Sequence, residues 1–443
     1  MIPASIIIPA WNGAQWITNC LRSVEMQLHP DDEVVVVDNG SADGTPDLVA
    51  REFPHVRLIR LERNLGFAGG INRGLEAARG DVLILINQDV VLREGCLDAL
   101  RRQLAEGGSG VIGCKLLYPD ERTIQHAGGI VRYPRAEPDH YGYRLRDDGR
   151  WDAVKPVDYV TGAVFAFDRV VWRAAGSFDE EFFPAYYEEV DYCFRVRAAG
   201  FRVTYEPSAV AIHYESQSQG SGSAAYHRAM QRGRLRFALK HYQPEQLLAD
   251  FFPAERDYMR GASPSFVREA LAPAYFSTLL SAPGLFHSPA QPMGTHDTSS
   301  SPRQSPVEII AELSELWLLA RGVSNTNRGD MDDESHSRHL PILHEHDFRS
   351  SAPIAGRFIQ WVRRGLYGLT AKWGVRVVID QQNQINQTIV QYMQEYEARL
   401  SEDEARLIEQ DRDLARLSRL VAELEIRQRQ LTKMIDAQTG ESH

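Results

Sequence analysis

The chain has 443 residues, 43% of them hydrophobic, a length that predicts two or three folded units rather than one. Its formal net charge of −11 argues against general nucleic-acid binding, which rests on clustered Lys and Arg. Cys20, Cys96, Cys114 and Cys193 form no CxxC pair, so neither a zinc site nor a disulfide framework is indicated.

At the N-terminus, MIPASIIIPAWN lacks the basic start and long apolar core of a signal peptide. No uninterrupted apolar run approaches the roughly 18 residues of a membrane span. The expectation is a cytoplasmic protein with reduced thiols. SIIIP (5–9) reads as a short buried strand and AQWITNCLRSV (14–24) has helical spacing. EVVVVD (33–38) is a β-branched strand, followed by the turn cluster NGSADG and a helix through DLVAREF (47–53). VRLIRL (56–61) is a third strand, GFAGGINRGLEAAR (66–79) a helix with a glycine-rich start, and VLILIN (82–87) a fourth strand. This alternation predicts an α/β fold, a mainly parallel sheet with helices on both faces. Ligands of such sheets sit at the carboxyl ends of the strands. That rule makes neighbours of Pro9, Asp38 and the run Asn87 to Asp89, because each ends a strand.

From 111 to 242 the pattern is mixed. VIGCKLLYP and VTGAVFAFD read as strands, EEVDYCFRVRAAG (188–200) as a helix, and FRVTYEP and AVAIHYE as two further strands. An Arg-rich helix covers 224–242, and Pro253, Pro264, Pro273 and Pro283 break a helical extension, 244–286, into short pieces. Residues 287–306, rich in Ser and Pro, read as a disordered linker, 307–322 as one amphipathic helix, and 323–353 as a second linker. Residues 354–379 mix Trp361, Trp373 and Phe358 with Arg and Lys and carry no acid, the pattern of a basic helix lying on an anionic membrane surface or packing on the enzyme body. In 380–437, Met393, Tyr396 and Leu400, then Leu414, Leu417, Val421 and Leu424, alternate steps of three and four. That spacing predicts a coiled coil, hence self-association or a partner coil.

Several segments could carry chemistry. Asp38 ends a strand and turns through Asn39-Gly40-Ser41, where a carboxylate can accept hydrogen bonds from a base and a ribose; an ordinary Asx-turn fits the segment equally. In RNLGFAGGIN (63–72), Gly66, Gly69 and Gly70 allow close backbone approach to a ligand, and the helix start favours an anion. GxGxxG is absent after the first strand and no Walker lysine follows a glycine loop, which argues against dinucleotide and P-loop sites.

PAWN at 9–12, VDNGSADGT, RNLGFAGGIN, LINQDV, and GSFDEEFFPAYYEEVDYCFRVRAAGFRV followed by AVAIHYES resemble the inverting family 2 glycosyltransferases of GT-A fold, nearest to a bacterial rhamnosyltransferase-like branch. The resemblance covers residues 3 to 242, and the corresponding domain is placed at 1–243. It implies a nucleotide-sugar donor (a dTDP- or UDP-sugar), a divalent metal (Mg²⁺ or Mn²⁺) and a general base for the acceptor hydroxyl. By that resemblance Pro9, Asn12, Asp38, Asn39, Asn64 and Gly70 line the nucleotide site, Asp89 is the metal-associated acid and His213 a second ligand. Asn87 stands where a second acid is often found and is expected to hydrogen-bond a sugar, ribose or metal-bound water. Magnesium uses one or two carboxylates with phosphate oxygens and waters, so a single Asp is chemically sufficient.

The family usually offers Glu-Asp and then Asp two residues later; here Glu188-Glu189-Val190-Asp191 puts Glu189 in the base position. Glu188 and Asp191 are expected to orient it or bind acceptor hydroxyls. Asp179 and Arg195 are assigned to structure, and Arg232 and Arg234 to a solvated basic face or, alternatively, to a diphosphate. The expected activity is transfer of a sugar, rhamnose by the branch, to a growing cell-surface polysaccharide or lipid-linked glycan. The alternative is a catalytically inactive GT-A protein that scaffolds a glycan-assembly complex through its coiled coil.

Overall fold

A computed structural model describes residues 2–108, 110–214, 223–287 and 306–321. All of these belong to one compact unit, Met1–Thr326. The expected basic helix at 354–379, the coiled coil at 380–437, the linker at 323–353 and residues 288–305 of the other linker lie outside the described residues.

The first half alternates as its hydrophobic pattern predicts. β1 (Ala4–Ala10), α1 (Ile17–Glu25), β2 (Glu33–Asp38), α2 (Thr45–Glu52), β3 (Arg57–Arg60), α3 (Gly66–Ala77) and β4 (Val82–Ile86) follow in order. β5 (Val90–Leu92), α4 (Cys96–Gly107), β6 (Gly110–Leu117), β7 (Ile124–His126), β8 (Gly129–Arg132) and β9 (Glu137–His140) come next. β10 (Lys155–Pro156), β11 (Val164–Asp168), α5 (Arg169–Ala175), α6 (Glu188–Ala198), β12 (Arg202–His213) and α7 (Ala224–His241) complete the sheet region.

The main sheet has the order β10-β12-β6-β11-β4-β1-β2-β3, with β5 on β12 and β7 on β6, and β8 and β9 form a separate hairpin. β3, β2, β1 and β4 are mutually parallel, as are β6 and β12, while β11 runs antiparallel between the two sets. Strands buried on both faces read as continuous aliphatic runs, and the period of two sorts their side chains. Ile6, Ile8, Val34, Val36, Ile84 and Ile86 face α1 and α4, where Leu21, Val24, Leu97 and Leu100 meet them. Ile7, Val35, Val37, Leu83 and Leu85 face the other side, where Ile71 and Leu75 of α3 and Val190 and Val196 of α6 cover them.

Two expectations change. FRVTYEP and AVAIHYE are one strand, β12, with a register shift between Glu206 and Val210. Pro207 cannot donate to the ladder, and Glu206 fills the irregularity by accepting from the Ser208 N–H and hydroxyl at 2.8 and 2.6 Å. Of the extension's prolines, Pro264 opens a new helix after a break at Ala262 and Ser263, as expected, but Pro253, Pro273 and Pro283 lie within continuous helix. α8 (Pro244–Gln246), a π turn (Leu247–Phe251) and α9 (Phe252–Gly261) follow without a gap, as do α10 (Pro264–Phe266), a second π turn (Val267–Leu271) and α11 (Ala272–His287). Each π turn lies just before the Phe252-Pro253 or Ala272-Pro273 pair, where the wider i→i+5 ladder accommodates the missing proline N–H. α12 (Pro306–Ala320), the expected amphipathic helix, packs on α11, with the Trp317 and Phe276 rings 5.1 Å apart.

Candidate active site

The carboxyl ends of β1, β2 and β4 share one rim, with Ala10 paired to Asp38 in register. Asp38 is 3% exposed. Its Oδ2 accepts from the Ser41 N–H at 3.3 Å, and Oδ1 is buried without a partner. Burial pushes this carboxyl above the usual range, opposed by the hydrogen bonds from Ser41. A buried acceptor without a donor costs about 1–3 kcal/mol, which a base or ribose N–H or O–H would recover.

The other residues expected at the nucleotide build the walls of this site. Asn39 Oδ1 accepts from the Leu65 N–H at 2.8 Å, and its Nδ2 donates to Asn64 Oδ1 and to the Gly66 carbonyl. Asn64 Oδ1 also accepts from the Gly66 N–H at 2.7 Å, so the two asparagines fix the loop that opens α3. A Cβ on Gly70 would lie 3.4 Å from Pro9 and 3.3 Å from Asn39, which puts these three residues in contact. Asn12, at φ +47°, accepts from the Ala42 N–H and donates its own N–H to Ser41, stapling the loop after β1 to the loop after β2.

The stretch after β4 places three polar residues in three ways. Asn87 donates its N–H to the Ala163 carbonyl at 2.9 Å, while its Oδ1 is buried without a partner. Gln88, which sequence reasoning passed over, pairs in both directions with the Trp11 backbone, at 3.0 and 2.9 Å. Asp89 is 6% exposed, and its Oδ1 lies 3.3 Å from His213 Nε2. The pairing follows from the sheet, since β5 and β12 put Val90 opposite His213. His213 Nδ1 meets Gln125 Oε1 at 2.8 Å, which leaves Nε2 turned toward Asp89. Gln125 was not foreseen either; it lies 88 residues from His213 in the chain.

A divalent cation fits this pair only in company. Among the described residues no group of three or more His, Cys, Asp or Glu could hold a metal. One carboxylate and one imidazole nitrogen suit a hard or borderline cation whose other ligands are phosphate oxygens and water.

The acidic trio splits. Glu188 and Glu189 open α6 after Tyr186 and Tyr187, both at positive φ, +84° and +77°. A left-handed backbone at two consecutive bulky residues is strained and is held by its surroundings. Tyr187 donates its hydroxyl to the Ala136 carbonyl, and Gly233 of α7 leaves room for the Tyr186 carbonyl 2.7 Å from where a Cβ would stand. Burial pushes Glu189 up to about 7. Burial, then the neighbouring Glu189 charge, holds Glu188 well above the usual range, and its Oε2 is buried without a partner. A Cβ on Gly162 would approach Phe67 of α3 at 2.9 Å and the Glu189 Cβ at 3.9 Å. The loop beside Asn87 is therefore also the loop beside Glu189. Gly66, at φ +77°, sits against Phe183 and Pro184, and the Phe67 N–H donates to the Pro184 carbonyl, joining the start of α3 to the segment that leads into α6.

Asp191 is removed from this set. It is fully buried and engaged by Arg195 Nε at 2.9 Å, Lys240 Nζ at 2.6 Å and His241 Nε2 at 2.9 Å. Burial alone would raise its pKa, but His241, Arg195 and Lys240 hold it well below the carboxylate range. A residue two positions after Glu189 points to another side of the helix, so both cannot face one acceptor. Asp179 binds Arg236 and Lys240, a structural role as expected. Arg234 serves neither a diphosphate nor solvent; it is 2% exposed and forms a bidentate pair with Glu255 at 2.7 and 2.6 Å.

Comparison with known proteins adds to this geometry. Residues 5–168 match the glycosyl transferase family 2 domain. An uncharacterised protein of Sinorhizobium fredii is 28% identical over 258 residues, 54% of this chain and 27% of that protein. An N-acetylglucosaminyl-diphospho-decaprenol L-rhamnosyltransferase of Mycobacterium tuberculosis is 28% identical over 243 residues, 50% of this chain and 79% of that enzyme. The chain thus spans about a quarter of the first relative's length and most of the second's. Among solved structures, a mannosyltransferase from Pyrobaculum calidifontis in complex with GDP-Man and Mn²⁺ aligns over 74% of this chain and 88% of that one, at 18% identity and a TM-score of 0.40.

Proposed function

We propose, from the premise that this chain carries a glycosyl transferase family 2 domain, that it transfers a sugar with inversion from a nucleoside diphosphate donor to a hydroxyl of a cell-surface polysaccharide or lipid-linked glycan. The observation that carries this reading is the Asp89–His213 pair standing on the rim that also holds the unfilled Asp38 acceptor. Asp38 receives donors of the base or ribose. Asp89 and His213 would hold the divalent cation, Mg²⁺ or Mn²⁺, that offsets charge developing on the leaving diphosphate. Glu189 takes the acceptor hydroxyl proton as that oxygen bonds to the anomeric carbon, and the bond to the diphosphate breaks on the opposite face. Asn87, with its unfilled Oδ1, accepts from a sugar or ribose hydroxyl. The mycobacterial relative's name supports rhamnose and a lipid-linked acceptor.

Donor hydrolysis with Mn²⁺ tests the reading: the wild type turns over and Asp89→Ala does not. No turnover in either would favour the inactive scaffold instead. A thermal-shift panel of dTDP- and UDP-sugars, with and without metal, identifies the donor. Among the described residues no helix is long and apolar enough to cross a membrane. Peripheral attachment through 354–379 and self-association through 380–437 are part of the proposal, and deletion of 354–443 should abolish liposome binding.

A further inference from the structure

Beyond the rim, a cavity of about 720 Å³ opens between the start of α7 and the α9–α10 junction. It falls within the roughly 300–1,000 Å³ that holds a ligand of several rings. Its walls include Tyr226, His227, Met230, Gln231, Tyr258 and Phe266. The rings are held in place: His227 and Phe266 meet edge to face at 5.2 Å, and the Arg135 guanidinium lies 3.4 Å over Tyr258. Arg135 is itself fixed by Glu255, which is fully buried.

Among the described residues the lining holds one acid, Asp257, already paired with Arg260 at 2.8 Å, and no Lys or Arg. The cations beside the lining, Arg135 and Arg260, are already paired with Glu255 and Asp257, so the described lining favours a neutral ligand over a phosphate. Flat aromatic faces beside amide, imidazole and hydroxyl groups suit a neutral ligand with apolar C–H faces and many hydroxyls, which describes a sugar ring. The cavity neighbours the acidic site, since the ring of its lining residue Tyr226 meets Tyr186 edge to face at 5.1 Å and Tyr186 stands two residues before Glu188.

We propose that this aromatic groove binds neutral saccharide units of the acceptor, holding the glycan so that its terminal hydroxyl reaches Glu189. The proposal rests on the transferase reading above. Its test uses the full chain and saturation-transfer NMR with neutral di- and trisaccharides of N-acetylglucosamine, galactose, glucose, mannose and rhamnose. UDP and dTDP binding is measured in parallel by thermal shift. Phe266→Ala removes a stacking face and should weaken saccharide binding about tenfold. Gly261→Trp fills the groove where a Cβ meets nothing within 4 Å, and should abolish that binding. Both variants should keep wild-type nucleotide responses, and Phe266→Tyr should keep saccharide binding. The proposal is overturned if no saccharide engages the wild type, if both groove variants bind as the wild type does, or if inorganic phosphate displaces the saccharide. Saccharide binding that the variants lose, in a chain that ignores every nucleotide, would uphold the groove and overturn the donor-site reading.

Discussion

His213 Nε2 faces Asp89 Oδ1 at 3.3 Å while Gln125 holds the opposite ring nitrogen at 2.8 Å. Outer partners of this kind fix ring orientation, and losing one costs about 10–100-fold in metal affinity. Gln125→Leu should therefore raise the Mn²⁺ concentration for half-maximal donor hydrolysis by about that factor, with maximal rate little changed. His213→Ala should raise it at least as far. Titrating donor hydrolysis against Mn²⁺ checks both, and a Gln125→Leu curve that overlays the wild type would remove Gln125 from this role.

Glu189 should impose a pH profile. With its pKa pushed up to about 7 by burial, the base-competent form grows as pH rises, so transfer climbs about tenfold per unit below pH 6 and levels above about 8. Glu189→Gln should abolish transfer and leave nucleotide binding intact. The stability effect has the opposite sign. A carboxyl whose folded pKa is raised binds its proton more tightly in the native state, so stability is present below the ordinary value near 4.5 and lost as pH rises through about 7. Thermal melts from pH 5 to 8 should fall more steeply for the wild type than for Glu189→Gln.

Asp191 should behave as a structural acid. Asp191→Asn leaves Arg195, Lys240 and His241 without their shared carboxylate, and breaking a buried charge pair costs about 3–5 kcal/mol. Its folded pKa is depressed, so the contribution is present above the ordinary carboxylate value and declines as pH falls below it toward the folded value. Urea unfolding should show the wild-type advantage at pH 7 and a smaller one at pH 3. Equal midpoints at pH 7 would show that Arg195, Lys240 and His241 do not need this acid.

What was legible in the sequence follows from the range of each interaction. The aliphatic runs of β1, β2 and β4 announce strands buried on both faces, and a parallel sheet then puts Pro9, Asp38 and Asp89 on one rim by topology alone. Arg234 misled because a charged residue on an Arg-rich helix looks solvated, and Asp191 because an acid beside Glu188 and Glu189 looks available to the acceptor, until the partners of each are known. Those partners lie 50 residues away for His241 with Asp191, and 21 for Glu255 with Arg234. Gln125 carries no local signal, since its importance comes only from the sheet that brings it to His213. Pro253 and Pro273 read as breaks because the usual rule assumes an i→i+4 ladder, which the two π turns replace.

The last prediction concerns how the helical extension is fastened to the sheet region. Glu255 of α9 is fully buried and receives Arg234 of α7, Arg135 of the segment between β8 and β9, and the Tyr275 hydroxyl of α11. Arg234 has this carboxylate as its ion-pair partner, while Arg135 also pairs with Glu137. Glu255→Gln should therefore cost about 3–5 kcal/mol, chiefly through Arg234, whereas Arg234→Met with Glu255→Leu should recover part of that loss by replacing charge with packing. Urea unfolding of the full chain measures both. Arg135 also lies against Tyr258, so losing Glu255 should loosen that wall of the groove and weaken saccharide binding while the Asp38 side of the protein keeps its nucleotide response. Unfolding midpoints that match the wild type in Glu255→Gln would show that these charges do not hold the extension in place.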